Sequence, residues 1–218
     1  LNDSVATANI KFLTSLNVAS TSIVDLTGIE DFTALQTLYC YSNQLTSLDV
    51  SNNTALYYLY CYSNQLTSLD VSSNLALTNL RCYSNQLTSL DVSANLALNQ
   101  LYCYSNQLTS LDVSANLALY SLRCENNQLT SLDIRNGNNT NMNTSSSYLN
   151  FTNNPQLYCI DVDDAVYSTA NWTVGNGIIS YWSLFSNSCQ NQIIGCLDSL
   201  AFNYNPLATI NFCDYGMT

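Results

Sequence analysis

The string CYSNQLTSLDVS starts at Cys40 and returns letter for letter at Cys61, Cys82 and Cys103. Aligned on the cysteine, five consecutive units of 21 residues run from Thr33 to Gly137. Self-similarity at that period predicts a solenoid, one coil per unit, each coil burying its apolar side against its neighbours. Inside every unit a half reading LxxLxCxxN is followed by a half reading LxxLDVSxN, so each coil has two extended sides.

Extended chain alternates its side chains, which sorts the letters. On the first side Leu38 and Cys40 are expected to point inward, and Thr37, Tyr39 and Tyr41 outward. On the second side Leu48 and Val50 point inward, and Ser47, Asp49 and Ser51 outward. Stacking turns each position into a column with a rise of about 4.8 Å per coil, so five coils make a body on the order of 25 Å long.

Cys40, Cys61, Cys82, Cys103 and Cys124 form an inward column of odd number in a leucine-rich interior. They read as buried reduced thiols acting as small hydrophobes. A disulfide between neighbouring coils or a thiolate metal site is the sharper alternative, but CxxC spacing and histidine partners are both missing. Asn43, Asn64, Asn85, Asn106 and Asn127 are expected to turn inward and bond backbone groups at the first bend. Asn53, Asn74, Asn95 and Asn116 do the same at the second bend, with Gly137 in that position of the last coil.

The outward columns of the first side vary most. One is Tyr39, Tyr60, Arg81, Tyr102, Arg123; the next is Tyr41, Tyr62, Tyr83, Tyr104, Glu125; a third is Thr37, Tyr58, Asn79, Gln100, Ser121. Rings at strand spacing make a rigid hydrogen-bonding platform of the kind protein and glycan partners use, and Tyr and Arg are enriched in binding hot spots. The candidate ligand-contact residues are therefore Tyr39, Tyr41, Tyr58, Tyr60, Tyr62, Arg81, Tyr83, Tyr102, Tyr104 and Arg123. The plainer alternative is a tyrosine ladder that only stabilises its strands.

On the opposite flank Asp49, Asp70, Asp91, Asp112 and Asp133 form an acidic column beside Ser47, Ser68, Ser89, Ser110 and Ser131. Like charges roughly 5 Å apart cost about a kcal/mol per pair in water-like surroundings. Local backbone and serine donors are expected to offset this, with calcium bridging adjacent coils as the alternative. Asp161, Asp163 and Asp164 read as a capping loop rather than a catalytic carboxylate pair.

Net charge is −11 with only four cations, which repels a phosphate backbone and excludes nucleic acid as a partner. The absence of histidine removes the usual general base, and no cofactor or enzymatic activity is expected. No apolar run reaches the roughly 18 to 20 residues of a membrane span, and no basic amphipathic segment points to membrane insertion. The chain opens on Leu1 without an initiator Met or a signal-like apolar core, which fits a mature, exported product. A polar surface rich in Asn, Ser, Thr and Tyr with only 9% charged residues also fits secretion.

The pattern LxxLxCxxNxLTSLDVSxN resembles the leucine-rich repeats of secreted and surface proteins of Bacteroidetes bacteria. Upstream, ANIKFLTSL and IVDLTGIEDFTALQTLYC are similar to that family's amino-terminal cap. Downstream, NGNNTNM, NNPQLYCIDVDDAVYSTANWT and the Cys189 region resemble its carboxy-terminal cap, which implies a Cys159 to Cys189 disulfide. The tail from Gly195, GCLDSLAFNYNPLATINFCDYG, resembles a short module of secreted marine bacterial proteins, in which Cys196 and Cys213 would pair. Ile210, Asn211 and Phe212 stand where that module has an acidic DDG. Two bridges outside the repeats fit an oxidising space.

The expected architecture is a mainly β leucine-rich-repeat solenoid, with parallel strands on the concave face and short extended segments opposite. The expected divisions are an amino-terminal cap at 1–32, five repeats at 33–137, a carboxy-terminal cap at 138–189 and a small disulfide-closed tail at 190–218. The expected role is non-catalytic recognition of a protein or glycan at or outside the cell surface. A self-associating spacer of a surface adhesin or filament is the alternative.

Overall fold

A computed structural model of the chain describes residues 10–190, 193–195, 197–201, 203 and 205–211. Seven short parallel strands stack in one sheet: β1 (Ser15–Asn17), β2 (Thr37–Tyr39), β3 (Tyr58–Tyr60), β4 (Asn79–Arg81), β5 (Gln100–Tyr102), β7 (Ser121–Arg123) and β9 (Leu149–Asn150). Their register places Leu16, Leu38, Leu59, Leu80, Leu101, Leu122 and Leu149 in one column. The ladder therefore continues past the five repeats at both ends, because segments without the repeat string still supply a leucine in phase.

The second side forms a smaller parallel sheet ordered β11 (Leu184–Ser186), β10 (Cys159–Asp161), β8 (Ser131–Asp133) and β6 (Ser110–Asp112). It starts only at the fourth repeat. Arg135 is hydrogen-bonded to Asp133 and lies 3.9 Å from Asp161, so a cation enters the acidic file where the coils close into strands. A two-stranded pair, β12 (Ile194–Gly195) and β13 (Ile210–Asn211), lies in the tail. Cys196 and Cys213 fall outside the described residues.

Inside, Leu38, Leu45, Val50, Leu56 and the same positions of later coils have no exposed surface. Fully burying each such side chain contributes about 1.5–3 kcal/mol, and stacking supplies the second wall that a single coil lacks. Cys40, Cys61, Cys82, Cys103 and Cys124 are buried free thiols. Burial pushes Cys40 and Cys82 up to about 12, and Cys61, Cys103 and Cys124 likewise well above the ordinary thiol value. They remain protonated and pack as apolar groups.

The first bend is set by one backbone conformation. Ser42, Ser63, Ser84 and Ser105 have φ of 53–54°, and Asn126 takes 56° at the same position of the last repeat. The following asparagine satisfies the polar groups that this turn exposes to the core. Asn85 donates from Nδ2 to the carbonyls of Cys61 and Cys82, and its Oδ1 accepts the Leu66 N–H of the preceding coil. Asn64, Asn106 and Asn127 repeat that arrangement.

At the second bend Asn74 donates to the carbonyls of Val50 and Asn53, and Asn95 and Asn116 follow suit. The last coil departs from the expectation for Gly137. Asn136, one residue earlier, bonds the Asn116 carbonyl, while Gly137 takes a φ of 71° and donates its N–H to Asp163. The left-handed glycine lets the chain leave the coil path there.

The closing segment packs Phe151, Trp172 and Phe185 edge to face around the end of the core. Helix α1 (Ala165–Asn171) carries Trp172 at its end and is capped by Asp164, whose carboxylate accepts the N–H groups of Val166 and Tyr167. Cys159 and Cys189 are joined by a disulfide.

Candidate functional site

The outward columns of the seven-stranded sheet are stacked rather than independent. Tyr41, Tyr62, Tyr83 and Tyr104 lie nearly parallel, with successive ring centroids 4.4, 4.3 and 4.2 Å apart. Strand spacing is about 4.8 Å, so modest leaning of the rings along the sheet brings them into contact. The neighbouring column alternates rings and guanidinium groups. Arg81 lies 4.6 Å from the Tyr60 ring centre and 5.1 Å from that of Tyr102, while Arg123 lies 5.8 Å from Tyr102 and 4.5 Å from Tyr104. Tyr39 meets Tyr60 at 5.1 Å in a tilted arrangement, and Tyr58 meets Tyr60 edge-on.

This packing determines what a ligand would meet. Interior ring faces are covered by the next ring or by a guanidinium group, so the surface consists of ring edges, hydroxyls and N–H groups. Burial pushes the phenols of Tyr62 and Tyr83 up to about 12, with neighbouring tyrosines as a further cause. Both hydroxyls keep their protons near neutral pH and serve as donors as well as acceptors.

Arg81 makes no ion pair among the described residues, and its Nε is buried without a hydrogen-bond partner. Arg123 is paired with Glu125. Glu125 is only 4% exposed, and desolvation raises its carboxyl against the opposing pull of Arg123, leaving Oε2 without a partner. Tyr102 is 9% exposed, less open than expected from strand alternation alone. Two guanidinium groups lie over its ring, and its hydroxyl is 3.2 Å from that of the fully buried Ser121. Ser121 donates to the Tyr148 carbonyl, closing the carboxy-terminal end of the face.

The third column is internally satisfied: Asn79 donates to Gln100 at 2.8 Å, and Gln100 donates to the Tyr120 hydroxyl at 2.7 Å. The structure therefore brings Tyr39, Tyr41, Tyr58, Tyr60, Tyr62, Arg81, Tyr83, Tyr104 and Arg123 onto one continuous surface, with Tyr102 largely beneath it. Tyr120 joins that surface without being named from the sequence, and Glu125, which ends the second outward column, is buried beside Arg123. Tyr120 lies just before strand β7, where the drift at the unit's start already flagged variation.

On the opposite flank each aspartate folds back on its own turn. Asp49, Asp70, Asp91 and Asp112 accept the N–H groups of Ser51, Ser72, Ser93 and Ser114 at 2.8–2.9 Å. Hydrogen bonds from the same serines, with the hydroxyl leading at Asp70 and Asp91 and the backbone N–H at Asp49, hold these three carboxylates below the usual value. No cluster of three or more metal-ligating side chains occurs among the described residues. In the closing segment, Asp163 accepts from Gly137 and Asn139, Asp161 accepts from Cys189, and Asp164 caps α1. All three carboxylates are thus occupied by backbone N–H groups.

Comparison with known proteins agrees with this architecture. The family model described as leucine-rich repeats in two copies matches residues 33–75. Internalin J of Listeria monocytogenes is 47% identical over 51 residues, spanning 23% of this chain and 6% of that protein. The solved functional domain of internalin J, described as including a cysteine ladder, aligns at 42% identity and a TM-score of 0.59, covering 72% of this chain and 31% of that domain. The chain thus spans about a third or less of these relatives. Internalin C2 from the same organism covers 84% of each chain at 18% identity and a TM-score of 0.52, a likeness of fold alone. No helix among the described residues is long and apolar enough to cross a membrane.

Proposed function

We propose that this chain is a non-catalytic recognition module acting outside the cell, and that a protein partner docks on its tyrosine and arginine face. The observation carrying this reading is the mutual stacking of the rings. A pyranose prefers an open aromatic face, whereas this surface offers hydroxyl edges and guanidinium N–H groups suited to polypeptide carbonyls and carboxylates. Likeness to internalin J and the Cys159–Cys189 disulfide support an extracellular setting. A rigid sheet carries the rings with little ordering entropy left to lose on binding, which favours recognition.

The test is the quadruple variant Tyr41→Phe, Tyr62→Phe, Tyr83→Phe and Tyr104→Phe, which keeps the stack and removes its hydroxyls. Protein and glycan arrays are probed with the wild type and the variant. Protein capture by the wild type that is lost in the variant, with a melting temperature within a few degrees, supports the reading. Capture indifferent to the hydroxyls, or capture confined to glycans, overturns it.

A further inference from the structure

Leu75, Leu96 and Leu117 occupy the same position of successive repeats at the second bend and are 63%, 63% and 67% exposed. Exposed leucines are ordinary when scattered, but these stack. The strands that follow them are in register, Asn79 to Gln100 to Ser121, so the leucines lie one above another at a rise of about 4.8 Å. Ala76, Ala97 and Ala118 extend the apolar strip beside them. Thr54 takes the same position one coil before, and after Leu117 the chain leaves the coil path at Gly137, so the strip has a finite length. A bounded, polar-rimmed apolar strip marks an interaction surface.

Its flank fixes the sign of the partner. Asp70, Asp91 and Asp112 precede the three leucines by five residues each and make no ion pair among the described residues. A groove of about 440 Å³ lies along the acidic file between Asp91 and Asp112, with Leu90, Ser93, Ser114 and Ala115 in its lining; the three leucines do not line it. Of the four cations, Lys11 lies over the Phe12 ring, Arg81 and Arg123 lie on the tyrosine sheet, and Arg135 is paired with Asp133 and reaches Asp112 only through its field, so no cation of the chain forms an ion pair with these carboxylates among the described residues. A second copy would bring another acidic file and another −11 charge to the same place, and an anionic bilayer would be repelled in the same way.

The geometry points to a basic amphipathic helix as the occupant, lying along the leucine strip with Lys or Arg over the aspartates. The spacing matches: three leucines rising by about 4.8 Å per coil meet helix positions i, i+3 and i+7, which fall at about 0, 4.5 and 10.5 Å along a helix axis. Apolar anchors of that period in a groove are a recurrent mode of helix recognition. This surface lies on the other side of the coil from the Tyr41 to Tyr104 hydroxyls and operates independently of them.

The probe is a synthetic helix of about four turns with Leu and Ala on one face and Lys along its flanks, paired with a control in which every Lys is Glu. Fluorescence anisotropy reads binding to the folded chain. Expected results are binding of the Lys peptide, weaker binding in high salt, and no binding of the Glu peptide. The triple variant Leu75→Ser, Leu96→Ser, Leu117→Ser should weaken binding by more than about tenfold, as the loss of central anchors does elsewhere. So should Asp91→Asn with Asp112→Asn, which keeps the turn-closing acceptor but removes charge. The four Tyr→Phe substitutions should leave it unchanged. Equal binding of both peptides, no binding, or binding undiminished in the triple or the Asp variant overturns the inference. So does partition of the wild type onto phosphatidylcholine vesicles, or a dimer that the triple variant abolishes.

Discussion

Arg81 sits between two tyrosine rings in the middle of the sheet and has no carboxylate partner among the described residues. Stacking on the rings orients its planar group at no cost in ion pairing, which leaves its outer N–H groups for a partner. Arg123, by contrast, is committed to Glu125. Arg81→Lys keeps the charge but loses the flat stack and the forked donors. Partner capture should fall by about tenfold or more in Arg81→Lys, and by less in Arg123→Lys, measured by surface-immobilised titration with matched melting curves. Equal losses from the two substitutions would contradict the assignment of Arg81 as the anchor. Which residues face out was legible from the alternation of Leu38, Tyr39, Cys40 and Tyr41. The ring-to-ring packing was not, because it depends on side-chain lean within a sheet rather than on which letter occurs. The shielding of Tyr102 likewise required Ser121, two arginines and the closing coil to meet around it.

At the level of the coil, the first bend sets a strained serine beside an asparagine with three structural bonds. Removing the Asn85 side chain leaves the Leu66 N–H and the Cys61 and Cys82 carbonyls short of partners at a half-buried bend. Asn85→Ala should therefore cost about 2–4 kcal/mol, near the upper range for lost buried hydrogen bonds. Ser84, at φ 53°, occupies the left-handed region that asparagine tolerates better, and Asn126 already fills the equivalent place. Ser84→Asn should be neutral or stabilising by up to about 1 kcal/mol. Urea melts of the two variants decide this, and the account fails if the neighbouring substitutions shift stability in the same direction. The repeat itself made the bend legible, since a fixed SN pair after an extended run marks a turn. It did not reveal where the coil path ends, because Asn136 and Gly137 exchange roles by a shift of one residue. The repeat fixes the Leu77 position in every unit and leaves that of Leu75 open to Thr33 and Thr54, but alternation breaks down at a bend and does not by itself place Leu75 outside.

Across the whole molecule, charge and fold pull in opposite directions as pH changes. Asp49, Asp70 and Asp91 are held below their ordinary value near 3.8 by the hydrogen bonds of their serine turns. Burial raises Asp133, but Arg135 wins and its net value is also lowered. A depressed folded-state value means stability fully present above the unfolded value and lost as pH falls through the folded one. Glu125 has the opposite sign: desolvation raises it above its ordinary 4.5, so folding favours its protonated form. Its penalty is present at neutral pH and is relieved as pH falls through its folded value toward 4.5. Partial neutralisation of the −11 charge acts in the same direction by reducing self-repulsion. The melting temperature should therefore rise on mild acidification from neutral pH, then fall once pH drops below about 4, where free aspartates begin to bind protons. Glu125→Gln should flatten the rise while leaving the acid limb in place, because the amide removes that titration and touches none of the aspartate turns. A melting temperature that falls steadily from neutral pH downward, or an acid limb abolished by Glu125→Gln, would show that the aspartate turns do not carry the acid sensitivity of the solenoid.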